Sequence, residues 1–179
     1  MHYWRQIAFS VCLTLVCLAA CYSQARSDST EATIREIRKE YARINSDSLN
    51  WRTVYKDIMG ASTEGGDMTN YYNGKDVEKT VTNFLGEMGR ARTEYYFENG
   101  KLIFEFEIHK FYDRPMTGNV VRAEENRYYF HNQRLIRWIG PKGQIEGMKQ
   151  YPDKEKERLE DLKNIDKWTK SKKTSIEEE

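Results

Sequence analysis

Usable cysteine is what this sequence lacks most. It has three, and Cys12 and Cys17 lie inside an apolar leader, leaving Cys21 alone in the processed chain. A disulfide framework within one mature chain is thereby excluded, although export would permit one. Histidine is also scarce: beyond His2 there are only His109 and His131. No Gly-x-Ser-x-Gly stands in the chain, and Gly65-Gly66 and Gly86-Glu87-Met88-Gly89 read as turns rather than phosphate cradles. An excess of either charge is missing as well. Lys and Arg number 29 against 28 Asp and Glu, so no global field draws in nucleic acid. Apolar runs long enough to span a membrane are absent too.

The one apolar run present is Ile7 to Ala20, the length of a signal h-region and short of the ~20 residues a spanning helix needs. Leu18-Ala19-Ala20-Cys21 follows it and resembles the bacterial lipobox. The resemblance implies cleavage before Cys21, acylation (palmitate among the chains) of Cys21, and a lipid-anchored envelope protein. The residue after the cysteine is Tyr22 rather than Asp, which by the same resemblance implies the outer membrane. Residues 1–20 are thus expected as signal peptide and 21–30 as a Ser-rich flexible tether.

From residue 31 the pattern turns helical, with Ser29 or Thr30 placed to cap. Ile34, Ile37, Tyr41 and Ile44 then recur on one face among charged residues. From Trp51 to Ile139 the period is two. Leu102, Phe104, Phe106 and Ile108 alternate with Ile103, Glu105, Glu107 and His109, which predicts a half-buried strand. Asn99-Gly100 predicts a type I′ hairpin turn before it. A two-residue loop there sets Glu98 against Lys101, Phe97 against Leu102, Tyr95 against Phe104 and Thr93 against Phe106. The segment Tyr95-Tyr96-Phe97-Glu98-Asn99-Gly100-Lys101-Leu102-Ile103 recurs as Tyr128-Tyr129-Phe130-His131-Asn132-Gln133-Arg134-Leu135-Ile136. Tyr71-Tyr72-Asn73-Gly74-Lys75 is a weaker copy. Gln133 in place of Gly predicts a wider second turn, because a side chain resists positive φ. The expected fold is α+β: an antiparallel β-meander of six or seven strands over residues 31–152, with an amphipathic helix at each end.

Residues 153–179 hold 17 charged residues of 27, so the second helix is expected to be marginal and its end, Lys170–Glu179, solvated. Its apolar stripe, Leu159, Leu162, Ile165 and Trp168, steps by three and drifts around a 3.6-residue helix.

The lipobox, the charged first helix and the repeated Tyr-Tyr-Phe-x-Asn-Gly-Lys-Leu hairpins together resemble small lipoproteins common in Bacteroidetes-type bacteria. The resemblance covers roughly residues 12–139. It implies the hairpin architecture and carries no activity to any residue.

Few constellations could carry chemistry. Glu105, Glu107 and His109 share one phase, but no second His stands near, so no metal site and no cofactor are expected. No catalytic residue is assigned. Tyr96, Ile103, Tyr129, Ile136 and Trp138 fall in one phase, and Tyr95, Phe97, Phe104, Tyr128 and Phe130 in the other. One such face can take the helices and the other can bind, with Tyr96, Tyr129 and Trp138 as contacts. The expected function is a non-catalytic, membrane-tethered binding or scaffolding module for an envelope protein, glycan or apolar ligand. The alternative is an envelope hydrolase using unassigned carboxylates.

Overall fold

The computed structural model describes residues 28–177. The leader, Cys21 and the first part of the expected tether lie outside them. The chain divides into two compact units, Met1–Arg38 and Lys39–Glu179. In the described part of the first, residues 28–38 are helical, with Ile34 and Ile37 buried. The helix, α1 (28–47), thus takes in residues 28–30 of the stretch expected as a tether. Thr33 Oγ1 donates to the Ser29 carbonyl inside it, at 3.0 Å.

The second unit is built on one eight-stranded sheet. Its strands are β1 (Arg52–Met59), β2 (Gly66–Asn73), β3 (Asp76–Gly86), β4 (Gly89–Glu98), β5 (Lys101–Tyr112), β6 (Val120–His131), β7 (Arg134–Ile139) and β8 (Ser175–Glu177). β1 to β7 pair antiparallel in sequence order, and β8 adds parallel to the outer edge of β1. The fold is therefore α+β, with eight strands rather than six or seven. The second helix, α2 (Tyr151–Lys170), is followed by a strand instead of ending the chain. Ser175–Glu177, expected as part of a solvated tail, is held because Asp57 N–H donates to the Thr174 carbonyl and Ile176 is buried.

Three hairpins share one device. Gly74-Lys75, Asn99-Gly100 and Asn132-Gln133 each close a two-residue turn, with Asn73 facing Asp76, Glu98 facing Lys101 and His131 facing Arg134. Four residues after each turn's first residue, the returning strand carries one residue too many: Glu78, Ile103 and Ile136. Such a bulge sharpens the twist and flips the side-chain phase of everything beyond it. Aligned by their turns, Tyr71, Tyr96 and Tyr129 are equivalent. The weak copy is thus offset by one residue from the alignment that pairs Tyr71-Tyr72 with Tyr95-Tyr96.

The bulges overturn the expected register. Phe97 does face Leu102, but past Ile103 Tyr96 faces Phe104, Tyr95 faces Glu105 and Thr93 faces Glu107. Leu102 therefore lies on one face and Phe104, Phe106 and Ile108 on the other. The wider turn expected at Gln133 is also overturned. Asn132 and Gln133 sit at φ +50 and +62, so the side chain is accommodated in the left-handed region.

One face of the sheet is covered by α2. Its core includes Ile58, Met68, Tyr95, Phe97, Leu102, Tyr128, Phe130, Leu135, Ile165 and Trp168. The expected marginal helix is a docked one. Leu159, Leu162, Ile165 and Trp168 all pack on this core, and Tyr151, Glu155, Arg158 and Thr169 widen the seam, so that Tyr151, Glu155, Arg158, Leu162, Ile165 and Thr169 follow alternating steps of four and three. Salt bridges Lys154–Glu157, Lys163–Glu160 and Lys170–Asp166 support the solvent side. On the opposite face, residues 39–47 of α1 pack where Tyr41, Tyr96, Phe104 and Tyr129 form a chain of rings 4.8–5.7 Å apart.

Candidate functional site

The three residues expected to share a binding face do not. Tyr96 and Tyr129 are buried in the ring chain on the α1 face. Trp138 lies on the α2 face, stacked on Tyr128 with Lys154 of α2 over its ring. The bulge at Ile136 is the physical reason, since it inverts β7 beyond the turn. Tyr96 is instead a polar anchor. Its hydroxyl donates to Glu94, and Lys79 adds an ion pair to Glu94 at 3.3 Å and a bond to Asn45 Oδ1 at 2.7 Å. Burial pushes the Tyr96 hydroxyl up, and the bond to Glu94 pushes it further.

The α2 face carries two arrangements with chemical potential. The first is a buried charge network. The flip at Ile103 turns Glu105, Glu107 and His109 toward α2, where Arg158 meets them. Arg158 Nη1 reaches Glu105 at 3.1 Å and Glu107 at 3.0 Å, and Nη2 reaches Asp161 at 3.0 Å. His109 Nε2 lies 3.0 Å from Glu107, whose other oxygen accepts from Asn126 and Tyr128. The expected grouping of Glu105, Glu107 and His109 is real, and its counter-charge is a guanidinium. Among the described residues no cluster of three or more His, Cys, Asp or Glu has metal-holding geometry.

The two carboxyls are pushed apart. Full burial raises Glu105 to about 8, against the pull of Arg158. Burial also acts to raise Glu107, but the bonds from His109, Arg158 and Tyr128 outweigh it and hold it at about 2. His109 is raised by the same bond to Glu107. One guanidinium shared by two carboxyls leaves one of them to keep its proton, and the fully buried one keeps it.

The second arrangement is a cleft of about 290 Å³ between α2 and the hairpin turns. Its walls are Val77, Phe97, Leu162 and Ile165. Thr80, Thr169, Asp76 and Asp166 add polar positions to its lining. Asn70 joins the two threonines: Thr80 Oγ1 donates to its carbonyl at 2.7 Å, and its amide donates to Thr169 Oγ1 at 3.1 Å. Gly100, at φ +71, leaves open space where a side chain would stand. Neither Glu105 nor Glu107 lines this cleft.

Sequence reasoning missed both Arg158 and the cleft. The available signal was the seam Tyr151, Glu155, Arg158, Leu162, Ile165, Thr169, whose period places an arginine in the middle of an otherwise packing stripe. A scan against protein-family models, a search of curated proteins and a search of solved structures each found no match. No helix among the described residues is long and apolar enough to cross a membrane.

Proposed function

We propose that this protein is a non-catalytic binding module of the cell envelope, anchored through acylated Cys21 in the outer membrane, and that its ligand-binding site is the cleft beside α2. The observation that carries the binding reading is the division of labour on the α2 face. Glu105, Glu107 and Asp161 are spent on Arg158 beneath the helix, while a largely apolar cleft with Thr80, Thr169 and Asp76 in its lining stands apart from them. Such a cleft takes an apolar group, and the carboxylate of Asp76 favours a ligand whose polar end is cationic or a hydrogen-bond donor, Asp166 being already bridged to Lys170.

A hydrolase reading has one observation in its favour. Glu105 and Glu107 hold the split protonation that acid and base partners use. Glu105 is fully buried, however, so a substrate has no approach to it without displacement of α2.

Titration with the uncharged dye N-phenyl-1-naphthylamine tests the cleft. Saturable fluorescence enhancement is expected, lost in Leu162→Arg and kept in Glu105→Gln, with the far-UV spectrum unchanged in both. Equal enhancement by Leu162→Arg would overturn the site. Mass spectrometry of the mature amino terminus tests the anchor: a diacylated cysteine is expected, and a chain beginning at Arg26 would overturn it.

A further inference from the structure

The two ends of the sheet differ in chemistry. Because β1 to β7 alternate in direction, the turns β2–β3, β4–β5 and β6–β7 fall at one end. They are polar: Asn73-Gly74-Lys75, Glu98-Asn99-Gly100-Lys101 and His131-Asn132-Gln133-Arg134. The connections β1–β2, β3–β4 and β5–β6 fall at the other end, and each presents one exposed methionine. These are Met59, Met88 and Met116, at 49, 51 and 72% exposure. Leu85, Val120 and Val121 are exposed at the same end. β7 stops short of it, with Ile139 opposite Arg127 of β6, so Ile145 and Met148 lie elsewhere, as do Tyr41, Leu49 and Tyr55.

We propose that this methionine-tipped end is a lipid-contacting surface that seats the domain on a zwitterionic bilayer interface. Four observations select a bilayer over a protein partner. The methionines stand on three separate connections, and only Leu85 and Met88 share a shallow cleft, so the set suits a fluid surface that closes around points. Methionine is unbranched and adaptable, and gives up little by moving between water and an acyl boundary. The connections carry Glu64, Glu87 and Asp113 against Arg114 alone, so no basic patch calls for anionic lipid. The tips are also braced: Met116 N–H donates to the Glu87 carbonyl at 2.8 Å and Tyr112 N–H to the Met88 carbonyl at 2.9 Å. Two methionines are thereby presented together. The proposal rests on the envelope reading, in which the acyl group supplies attachment and this surface supplies orientation; one weak apolar contact alone would bind reversibly.

The test uses the processed protein on phosphatidylcholine vesicles containing brominated acyl chains, which quench nearby indole. Met88→Trp and Met116→Trp each add one indole to the methionine end, and Leu49→Trp adds one at the opposite end. The expected result is that the added emission at 88 and 116 loses most of its intensity and that at 49 keeps it. Flotation of the wild type and of Cys21→Ala on the same vesicles reads the anchor separately. Quenching at 88 and 116 supports the surface whether or not flotation needs Cys21. Flotation without quenching at either position overturns it while leaving the anchor standing. Quenching at 49 alone overturns it by reversing the orientation. A concentration-dependent dimer with no quenching at 88 or 116 overturns it in favour of a second copy.

Discussion

The two faces of the sheet bury similar aromatic strands under one helix each, yet they hold those helices by different means. On the α1 face, rings from Tyr41, Tyr96, Phe104 and Tyr129 pack edge and tilt, and the polar groups Asn45, Lys79, Glu94 and Tyr96 find partners among themselves. On the α2 face, the helix packs on the apolar core and is fixed by polar and charged groups as well. Arg158 spans ionised Glu107 and protonated Glu105 in its middle. At its C-terminal end, buried Lys56 donates to the carbonyls of Trp168 at 2.6 Å, Thr169 at 3.2 Å and Ser171. Burial lowers Lys56, and those carbonyls are the orphan acceptors every helix end leaves. Among the described residues, four buried polar atoms remain without a protein partner: Thr82 Oγ1, Glu105 Oε2, Arg158 Nε and Trp168 Nε1. All belong to α2 or to sheet positions on its face. A face held by packing tolerates loss of one polar group, whereas one held by buried charge does not.

Removing the central charge should separate the faces most sharply. Arg158→Met leaves ionised Glu107 with His109 as its one counter-charge and takes away the hydrogen-bond partner of buried Glu105, and should cost ~3–5 kcal/mol of stability in urea unfolding. A loss no larger than that of an exposed pair would show that the network is solvated and the α2 face is held by packing alone.

The pH dependence comes next. Glu107 is depressed from 4.5 to about 2, so its contribution is fully present above 4.5 and is lost as pH falls toward 2. Glu105 is raised from 4.5 to about 8, so the folded state is penalised progressively as pH rises from 4.5 through 8. His109, raised by Glu107, contributes below its ordinary pKa and loses that contribution as pH rises through its folded value. Stability should therefore peak near pH 5 and decline toward pH 8. Glu105→Gln should flatten most of that decline, leaving the smaller His109 slope. Unfolding midpoints across pH 4–9 check this; a decline unchanged in Glu105→Gln would place the proton elsewhere.

The smallest effect belongs to the other face. Tyr96→Phe keeps the ring chain and removes one hydroxyl bonded to Glu94, so it should cost about 1–3 kcal/mol. Lys79 and Arg92 remain to pair the carboxylate. A cost rivalling that of Arg158→Met would erase the contrast between the faces.

Local pattern carried part of this. The stripe of Ile34, Ile37, Tyr41 and Ile44 marked α1, and Asn99-Gly100 marked a type I′ turn that is present, because periodicity and positive φ are decided within a few residues; Ser29 and Thr30, expected as caps, lie inside the helix. The period of two marked the strands but misassigned their faces. Leu102 and Phe104 are two apart and look like neighbours on one side, yet a single extra residue at Ile103 sets them on opposite sides.

What the sequence by itself determined is the set of elements and turns: the first helix, the alternating strands and the repeated hairpin. What only the tertiary structure decided is which residues meet. The bulges at Glu78, Ile103 and Ile136, the eighth strand, and the placing of Arg158 over Glu105 and Glu107 follow from how strands and helix fit together. Periodicity cannot report them, because a bulge preserves every local preference on either side while inverting the face. A buried carboxylate is tolerable only where a guanidinium, 53 residues away for Glu105 and 51 for Glu107, arrives to meet it.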